Sequence, residues 1–315
     1  MSGYFWDQHA CPDISTTASL DALGRYETPS AVSLNVGYAP HSGAQSRAAI
    51  AHHKTVLARR DDAAFTGTLA EVDAALAAGK AAVWFDLEDT APLDGRTDAV
   101  AEFYALGVRT MLTTYNAGNA AGSGCMDAVD EGLTAYGMQI VREMNAVGMV
   151  VDAAHVSARS MADMLDISEA PVIVSHTAAR SLHDARRCIT DAQARAIGGS
   201  GGVIGVCGIG IFLGENEGTV NAMVRHIEHF ADTVGVAHVG IGSDFSFDID
   251  EVTREIRESP ELFPEEITRY GEIRMVPPEQ VTTIPGALRA RGWSDDDIDA
   301  VCFANFRRIA AHVWR

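Results

Sequence analysis

Eight short runs of β-branched or apolar residues recur along the chain, each separated from the next by a helix-like stretch or a longer polar loop. Most of these runs are apolar at every position, which is typical of strands buried on both faces of a parallel sheet. The pattern predicts eight strands, at Gly3–His9, Ser30–Val36, Ala81–Glu88, Val108–Tyr115, Met149–His155, Pro171–His176, Val203–Gly208 and His238–Asp244.

The stretches between these runs carry helical signals. Apolar residues in 133–147 fall on one face of a helix that Gly148 ends, and Val220–Val234 is an amphipathic helix. Thr190 and Gln193 have the spacing of a capping box. Eight strands alternating with helices over about 250 residues fit a (β/α)8 barrel, so we predict an α/β fold of this class. An open, doubly wound sheet is the alternative.

The residues best suited to chemistry stand at the ends of the predicted strands. They are His9, Glu88, Tyr115, His155, His176 and Asp244. In a (β/α)8 barrel the carboxyl ends of all strands meet at one mouth, where active sites are built. An open sheet would spread the same residues along an edge, so their placement favours the barrel.

The pattern changes after the last predicted strand. The stretch from 245 to about 283 is acidic, contains four prolines up to Val281 and shows no clear strand. We expect a long loop with a helical piece beside the barrel mouth. Two helices should follow, at Ile284–Arg291 and Ser294–Trp314. No linker or repeat divides the chain, so we expect residues 1–315 to form a single domain.

Charge and composition limit the classes of partner. The 315 residues include 43 acidic and 24 basic ones, for a net charge of −19, so nucleic acids and anionic membrane surfaces are not expected as partners. The chain lacks an apolar run of about 18 residues and the features of a signal peptide, so we expect a cytoplasmic protein. Five scattered cysteines without a CxxC pair indicate neither a disulfide framework nor a zinc ribbon.

Imidazole and carboxylate groups that meet at one barrel mouth are typical ligands of a divalent metal. Zinc accepts nitrogen, carboxylate oxygen and thiolate sulfur, and a catalytic zinc keeps one position open for water. His155 and His176 end neighbouring predicted strands, and His9 and Glu88 have equivalent positions on others. The sequence therefore predicts a zinc site made from these four residues.

Glu88 belongs to an acidic cluster with two possible roles. Strand alternation turns Asp86 and Glu88 to the same side, and Glu88 is nearer the rim. A carboxylate there can bridge two cations roughly 3.5–4 Å apart. Alternatively, the cluster only caps the next helix, a role that Asp89 and Thr90 could fill without Glu88.

Several longer motifs resemble the membrane dipeptidase, or renal dipeptidase, family of metallopeptidases, which belongs to the amidohydrolase-type barrels. The similarity covers most of the chain from Ala81 onward, including Asn305-Phe306-Arg307. The motifs that carry it are GLTAYGMQIVREMNAVGMVVDAAH (Gly132–His155), PVIVSHTAAR (Pro171–Arg180), TDAQARAIGGSGGVIGV (Thr190–Val206) and VGIGSDF (Val239–Phe245).

The resemblance implies a zinc-dependent hydrolase that cleaves a dipeptide or a related small amide carrying a carboxylate, and a homodimer. In that family two zinc ions are bound by a His-x-Asp pair, a bridging Glu and two further His. Asp244 matches the acid that handles the proton, and Arg187 matches the arginine that binds the substrate carboxylate. The matching metal ligands here are His9, Glu88, His155 and His176.

Two residues depart from the family pattern. Cys11 stands where the first motif has its Asp, and Tyr115 stands where the family has a His that contacts the substrate. A Cys11 thiolate would bind zinc and complete a two-zinc site, whereas an inert thiol would leave one zinc. The Tyr115 phenol could donate a hydrogen bond to the oxyanion, or line a different pocket. These changes leave an alternative open: a protein that binds or senses a small metabolite without hydrolysing it.

Overall fold

The structure, a computed structural model, describes residues 2–259 and 263–315. Its sheets are parallel in every strand pair of these residues. The strands are β1 Phe5–Cys11, β2 Ser30–Asn35, β3 Ala63–Phe65, β4 Ala81–Leu87, β5 Val108–Leu112, β6 Val150–Asp152, β7 Val174–Thr177, β8 Ile204–Val206, β9 Val239–Ile241 and β10 Phe245–Ser246.

Eight strand positions follow one another around a ring. One sheet has the order β10-β1-β2-β4-β5-β6 and a second has the order β7-β8-β9. The two sheets meet where Ala153 N–H donates to Ile173 O at 2.8 Å, and the ring closes where Asp244 N–H donates to His9 O at 2.9 Å. The predicted (β/α)8 barrel is thereby confirmed rather than the open sheet, because β10 follows β9 in the chain and pairs with β1, which joins the last strands of the ring to the first.

Two strands were not predicted from the sequence. The three-residue β3 pairs with the first half of one edge of β4, and β5 pairs with the second half of the same edge. The two-residue β10 continues the direction of β9 and pairs with the end of β1. Both are too short to produce a recognisable apolar run.

The helices begin and end close to the predicted signals. Thr190 and Gln193 form the predicted capping box, and Gly148 ends α4 in the left-handed conformation. The helices are α1 Gly43–Leu57, α2 Leu69–Ala77, α3 Ala99–Leu106, α4 Ala135–Val147, α5 Ala158–Ile167, α6 Asp191–Gly199, α7 Gly210–Leu213, α8 Val220–Val234, α9 Ile249–Glu258, α10 Glu265–Thr268, α11 Pro278–Val281, α12 Ile284–Ala290, α13 Asp295–Asp299 and α14 Asn305–Val313.

The segment expected to be a long loop with one helical piece contains more regular structure than that. It holds β10 and the three helices α9, α10 and α11, although residues 260–262 lie outside the described part. Its acidic composition suits the start of α9, where Asp248 accepts a hydrogen bond from the backbone of Glu251 and caps the helix. Pro264 directly precedes α10, and Pro278 is the first residue of α11. Prolines interrupt longer helical patterns, so helices as short as these are hard to distinguish from a loop in the sequence.

The end of the barrel opposite the candidate residues is closed by aromatic packing. Trp6 of β1 and Trp84 of β4 are fully buried with ring centres 4.8 Å apart, and Trp314 packs against Trp84 at 5.3 Å. Asn305 Nδ2 donates at 2.8 Å to the carbonyl of Val239, which ties α14 to β9. Packing α14 under the strands leaves the carboxyl ends of the strands as the open mouth.

No helix in 2–259 or 263–315 is both long enough and apolar enough to cross a lipid bilayer.

Candidate metal centre

The candidate ligands lie at the carboxyl ends of five strands, but not all at the last strand residue as expected. His9 and His176 lie within β1 and β7, and Glu88 directly follows β4. His155 and Asp244 each lie three residues beyond the strand that precedes them. The predicted positions are therefore shifted by as many as three residues, while all five remain at the same mouth.

His155 and Asp244 adopt an unusual backbone conformation. Their φ angles are +62° and +58°, in the left-handed region that non-glycine residues rarely enter. The turn at His155 is held by Cys125 N–H, which donates to His155 O at 2.7 Å, and Asp244 is held by its hydrogen bond to β1. Strain of this kind persists only where the surroundings fix it, and it is concentrated at functional sites.

Three imidazoles present their Nε2 atoms to one oxygen of Glu88. Glu88 Oε1 lies 2.9 Å from His155 Nε2 and 3.2 Å from His176 Nε2. His9 Nε2 is 3.6 Å from the same oxygen, and the Nε2 atoms of His155 and His176 are 2.9 Å apart. Two ligand atoms of one tetrahedral zinc are separated by roughly 3.3 Å, so these four atoms have the spacing of a metal site.

The Nδ1 atoms on the far side of the same three rings all have polar partners. The pairs are His9 with Asp86 Oδ1 at 3.1 Å, His155 with Asn116 Oδ1 at 2.8 Å and His176 with Ser175 Oγ at 2.8 Å. Carboxylate and amide oxygens can only accept, so these contacts place the proton of His9 and His155 on Nδ1. Partners of this kind orient histidine ligands and leave a lone pair on Nε2.

These lone pairs are the reason why the residues fit a bound cation. The neutral His155 ring faces Glu88 Oε1 and His176 Nε2 at hydrogen-bond distance, and a proton on Glu88 can bond only one nitrogen at a time. A divalent metal between the atoms satisfies all of them together. Imidazole nitrogen with carboxylate oxygen is a donor set that zinc accepts.

Burial sets the charge of the centre when no cation is present. It lowers the pKa of His155 and His176 well below the ordinary value and raises the pKa of Glu88 to about 8. Burial also opposes protonation of His9, but Cys11, Asp86 and Glu88 attract a proton on this ring when they are ionised, and together they raise the pKa of His9 well above the ordinary value. A bound cation favours neutral rings and an ionised Glu88, so metal binding displaces protons.

Glu88 and Asp86 are fixed by residues of β2, the neighbouring strand. Asn35 Nδ2 donates to Glu88 Oε2 at 2.6 Å, and Ser33 Oγ donates to Asp86 Oδ2 at 2.6 Å. The β2–β4 register places Asn35 opposite Asp86. Glu88 is thus a candidate metal ligand rather than a helix cap, while Asp86 acts through the His9 ring.

Cys11 lies at the rim of the same centre. Its Sγ is 3.3 Å from His9 Nε2 and 3.5 Å from Asp244 Oδ1, and these three side chains form a second group of possible ligands. Burial raises the pKa of the Cys11 thiol, so the thiol is protonated when no cation is near. A coordinating metal deprotonates such a thiol outright.

Tyr115 covers one side of the candidate ligands. Its ring is stacked on His155, with centres 4.5 Å apart and planes at 24°, and its edge contacts Phe263. The backbone N–H of Tyr115 donates to Asp89 Oδ2 at 2.7 Å, which fixes the turn after β5. Burial raises the pKa of Tyr115 well above the ordinary value, so the phenol remains a hydrogen-bond donor at neutral pH.

Arg187 is buried next to the ligand strand β7. Its Nη2 donates to His176 O at 2.9 Å, and its guanidinium carbon lies 5.8 Å from the ring centre of Phe212. Its Nε is buried and has no hydrogen-bond partner within the described residues. A buried donor without a partner is costly, so Arg187 has capacity for an anionic ligand.

The candidate ligands lie between two clefts, and His155 borders both. The first cleft contains Cys11, Glu88, Tyr115, Asn116 and Asp244. The second cleft contains Arg187 together with Cys125, Arg180, Arg186 and Gln193. The structure therefore brings every predicted site residue to one mouth, with Asp244 in the first cleft and Arg187 in the second.

Four residues of the site were missed from the sequence: Ser33, Asn35, Asn116 and Ser175. Ser33 and Asn35 occupy predicted strand β2, where polar residues inside an apolar run were the available signal. Asn116 lies in a loop, and no periodic pattern marks it. Ser175 directly precedes His176 in the chain, so the contact between them is local. Whether Ser175 reaches Nδ1 depends on the orientation of the His176 ring, which the sequence does not specify.

The barrel carries a cluster of histidines and carboxylates at its mouth, which is a donor set typical of a metal site. A family model for the membrane dipeptidases, peptidase family M19, matches residues 43–314. The chain belongs to that family, which confirms the resemblance carried by the sequence motifs.

Two curated relatives are similar to this chain. An uncharacterized dipeptidase from Schizosaccharomyces pombe is 33% identical over 230 residues, which are 71% of this chain and 55% of that protein. The chain thus spans about half the length of this relative. An uncharacterized protein in the pqqA 5′ region of Klebsiella pneumoniae is 29% identical over 240 residues, 73% of this chain and 81% of that protein.

Solved structures support the fold. An amidohydrolase from Pseudomonas aeruginosa superposes with a TM-score of 0.88 at 22% identity, covering 99% of this chain and 97% of that one. A metallo peptidase from Rhodobacter sphaeroides, liganded with a phosphinate mimic of the dipeptide L-Ala-D-Ala, superposes with a TM-score of 0.78 at 20% identity. That match covers 98% of this chain and 99% of the other.

Proposed function

We propose that this protein is a zinc-dependent hydrolase that cleaves a dipeptide or a related small amide carrying a free carboxylate. The observation that carries the proposal is the convergence of three Nε2 atoms on Glu88 Oε1 between two clefts. Zinc bound there would polarise the scissile carbonyl and activate a water. The proposed metal ligands are His9, Cys11, Glu88, His155 and His176, and membership of a metallopeptidase family supports them.

Asp244 is proposed to accept the proton of the attacking water and to return it to the leaving amine. Its Oδ1 lies 3.8 Å from His9 Nε2, and its partly exposed side chain borders the first cleft. Burial raises its pKa, which brings the carboxyl closer to the range in which it can both take and give a proton.

Arg187 is proposed to hold the substrate carboxylate. Its unpartnered, buried Nε and its position in the second cleft support this role, because a charged donor bonds most strongly to an ionised acceptor. The carboxylate would then lie in the second cleft, whereas Asp244 borders the first. The substrate is thus proposed to cross the metal centre from one cleft to the other.

Cys11 is proposed to be a zinc ligand in place of the family's aspartate. Its Sγ lies 3.3 Å from His9 Nε2, a spacing that two ligands of one zinc share. With Cys11 ligated, His9, Cys11 and Glu88 would hold one zinc, and Glu88, His155 and His176 would hold the other. We therefore propose two zinc ions per chain.

Replacement of Cys11 by serine should lower the bound zinc by about one equivalent, because a hydroxyl is a much weaker zinc ligand than a thiolate. Cobalt-substituted wild-type protein should show a thiolate-to-cobalt charge-transfer absorption that Cys11→Ser lacks. Cys11→Asp is the matched variant, and it should restore the lost equivalent without the absorption. Equal zinc content and equal spectra in wild type and Cys11→Ser would contradict ligation and favour a single zinc.

Replacement of Tyr115 by phenylalanine should lower kcat by about 10²-fold, because one donor to the oxyanion is lost. The ring that stacks on His155 is kept, so zinc content should not change. Steady-state kinetics and elemental analysis measure the two effects. A Tyr115→Phe protein with wild-type kcat would show that the phenol lines the cleft without a catalytic role.

A substrate panel tests the proposed function. Dipeptides, N-acyl amino acids and small lactams should be screened with added zinc, and we expect zinc-dependent cleavage of at least the dipeptides. Binding of these compounds without cleavage would instead favour the alternative, a metabolite-binding protein. Cys11 and Tyr115 motivate that alternative, because both replace groups that the family uses.

The remaining expectations from the sequence stay predictions. They are a homodimer, a cytoplasmic location, and a small-molecule substrate with neither nucleic acid nor membrane as partner.

A further inference from the structure

The two clefts give the proposed substrate a direction. In a dipeptide the free carboxylate belongs to the leaving residue, and Arg187, its proposed partner, lines the second cleft. The scissile carbonyl must lie at the metal centre, beside Glu88 and Asp244. The acyl residue, on the other side of that carbonyl, would therefore lie in the first cleft.

One wall of the first cleft is apolar and is built from two segments that are tied together. Gly210 N–H donates to Arg274 O at 2.8 Å, and Val276 N–H donates to Gly208 O at 3.0 Å. These bonds hold the chain after β8 against the segment that follows α10. The two segments contribute Ile211, Phe212, Ile273 and Met275, and Ile256 of α9 and Ile267 of α10 also line the first cleft.

The first cleft also has aromatic rings beside the candidate ligands. The ring of Tyr38 lies 5.0 Å from that of Tyr115, which in turn stacks on His155. Phe263 closes the row at 6.1 Å from Tyr115. A substrate side chain that enters between this row and the apolar wall would be removed from water on both of its faces.

The charged groups of the first cleft are all of one sign. No lysine or arginine lines it among the described residues, and its carboxylates other than the proposed zinc ligand Glu88 and the proposed proton acceptor Asp244 are Asp13, Asp248, Glu251 and Glu255. An acidic side chain on the acyl residue would be repelled there, since like charges raise each other's energy in a site with little water.

We propose that the first cleft is the acyl subsite and selects substrates whose N-terminal residue has a large apolar side chain. The inference rests on the proposed function and names its substrate class. Complete burial of a leucine or phenylalanine side chain corresponds to about a 10- to 100-fold gain over glycine.

The experiment compares five dipeptides that differ only in the first residue: Gly-Ala, Ala-Ala, Leu-Ala, Phe-Ala and Glu-Ala. With zinc-loaded wild-type protein, kcat/KM for Leu-Ala or Phe-Ala should exceed that for Gly-Ala by at least about 10-fold. Glu-Ala should be the poorest substrate. If the protein does not cleave these dipeptides, their affinities measured by calorimetry with the same protein should follow the same order.

Ile211→Ala and Leu213→Ala form a matched pair of variants. Both residues are almost fully buried in α7, but only Ile211 lines the first cleft. Ile211→Ala should reduce the ratio of kcat/KM between Leu-Ala and Gly-Ala several-fold, and Leu213→Ala should leave that ratio unchanged. If Ile211→Ala does not fold, Met275→Ala, at a partly buried position of the same wall, replaces it.

The outcomes separate this inference from the proposed function. Cleavage of the panel at rates that do not depend on the first side chain, or that favour Gly-Ala or Glu-Ala, would overturn the subsite and leave the hydrolase. Binding in the predicted order without cleavage would overturn the hydrolase and support the subsite. Neither cleavage nor ordered binding would overturn both.

Discussion

Replacing Glu88 with glutamine is expected to remove the bound metal and to lower turnover by at least about 10³-fold. Glu88 Oε1 is the one atom to which all three histidine Nε2 atoms turn, so its charge is needed for any cation held there. An uncharged amide oxygen is a poor ligand for zinc. Elemental analysis and kcat measure the two losses.

Loss of the fold should not explain this result. Glutamine has the shape of glutamate, and burial raises the pKa of Glu88 to about 8, so the metal-free wild type already holds a neutral side chain at pH 7. The metal-free variant should therefore unfold at a temperature equal to or above that of the metal-free wild type. Metal retained at wild-type stoichiometry in Glu88→Gln would contradict the assignment of Glu88 as the bridging ligand.

Replacing Asp244 with asparagine is expected to lower kcat by about 10³-fold while zinc content remains that of the wild type. Asparagine tolerates the left-handed conformation that Asp244 adopts at φ +58°, so the turn should be kept. The side chain loses only its ability to take and return a proton. Crystallography and elemental analysis provide the structural controls.

The same variant distinguishes two roles for Asp244. Its Oδ1 is 3.5 Å from Cys11 Sγ and 3.8 Å from His9 Nε2, close enough to be a ligand in the second group of donors. A fall of one zinc equivalent in Asp244→Asn would show that Asp244 binds metal. Unchanged kcat with unchanged zinc would remove it from the reaction altogether.

The barrel could be predicted because parallel strands buried on both faces leave continuous apolar runs, as in Ala81–Leu87. The strand ends were less predictable. His155 stands three residues after β6 because a turn with positive φ carries it beyond the hydrogen-bonded pairs. No local pattern specifies that conformation for a histidine, since it depends on the loop that packs against it.

The meeting of the candidate ligands at one mouth could be predicted, because each has a donor side chain at or just beyond the end of an apolar run. Their partners could not, because Asn35 and Glu88 are 53 positions apart and meet only through the β2–β4 register. The same holds for Asn116, which reaches His155 from a loop 39 positions away. Register and loop course are set by packing of the whole barrel, and short motifs do not carry them.

We propose that the mouth of this barrel holds catalytic zinc. Elemental analysis of wild-type protein purified without chelators, read beside turnover on the same sample, tests it most directly. We predict close to two zinc ions per chain. Dialysis against a chelator should remove both the zinc and the dipeptide hydrolysis, and addition of zinc should restore both. Protein that holds only traces of transition metal, even after incubation with zinc, would contradict the account.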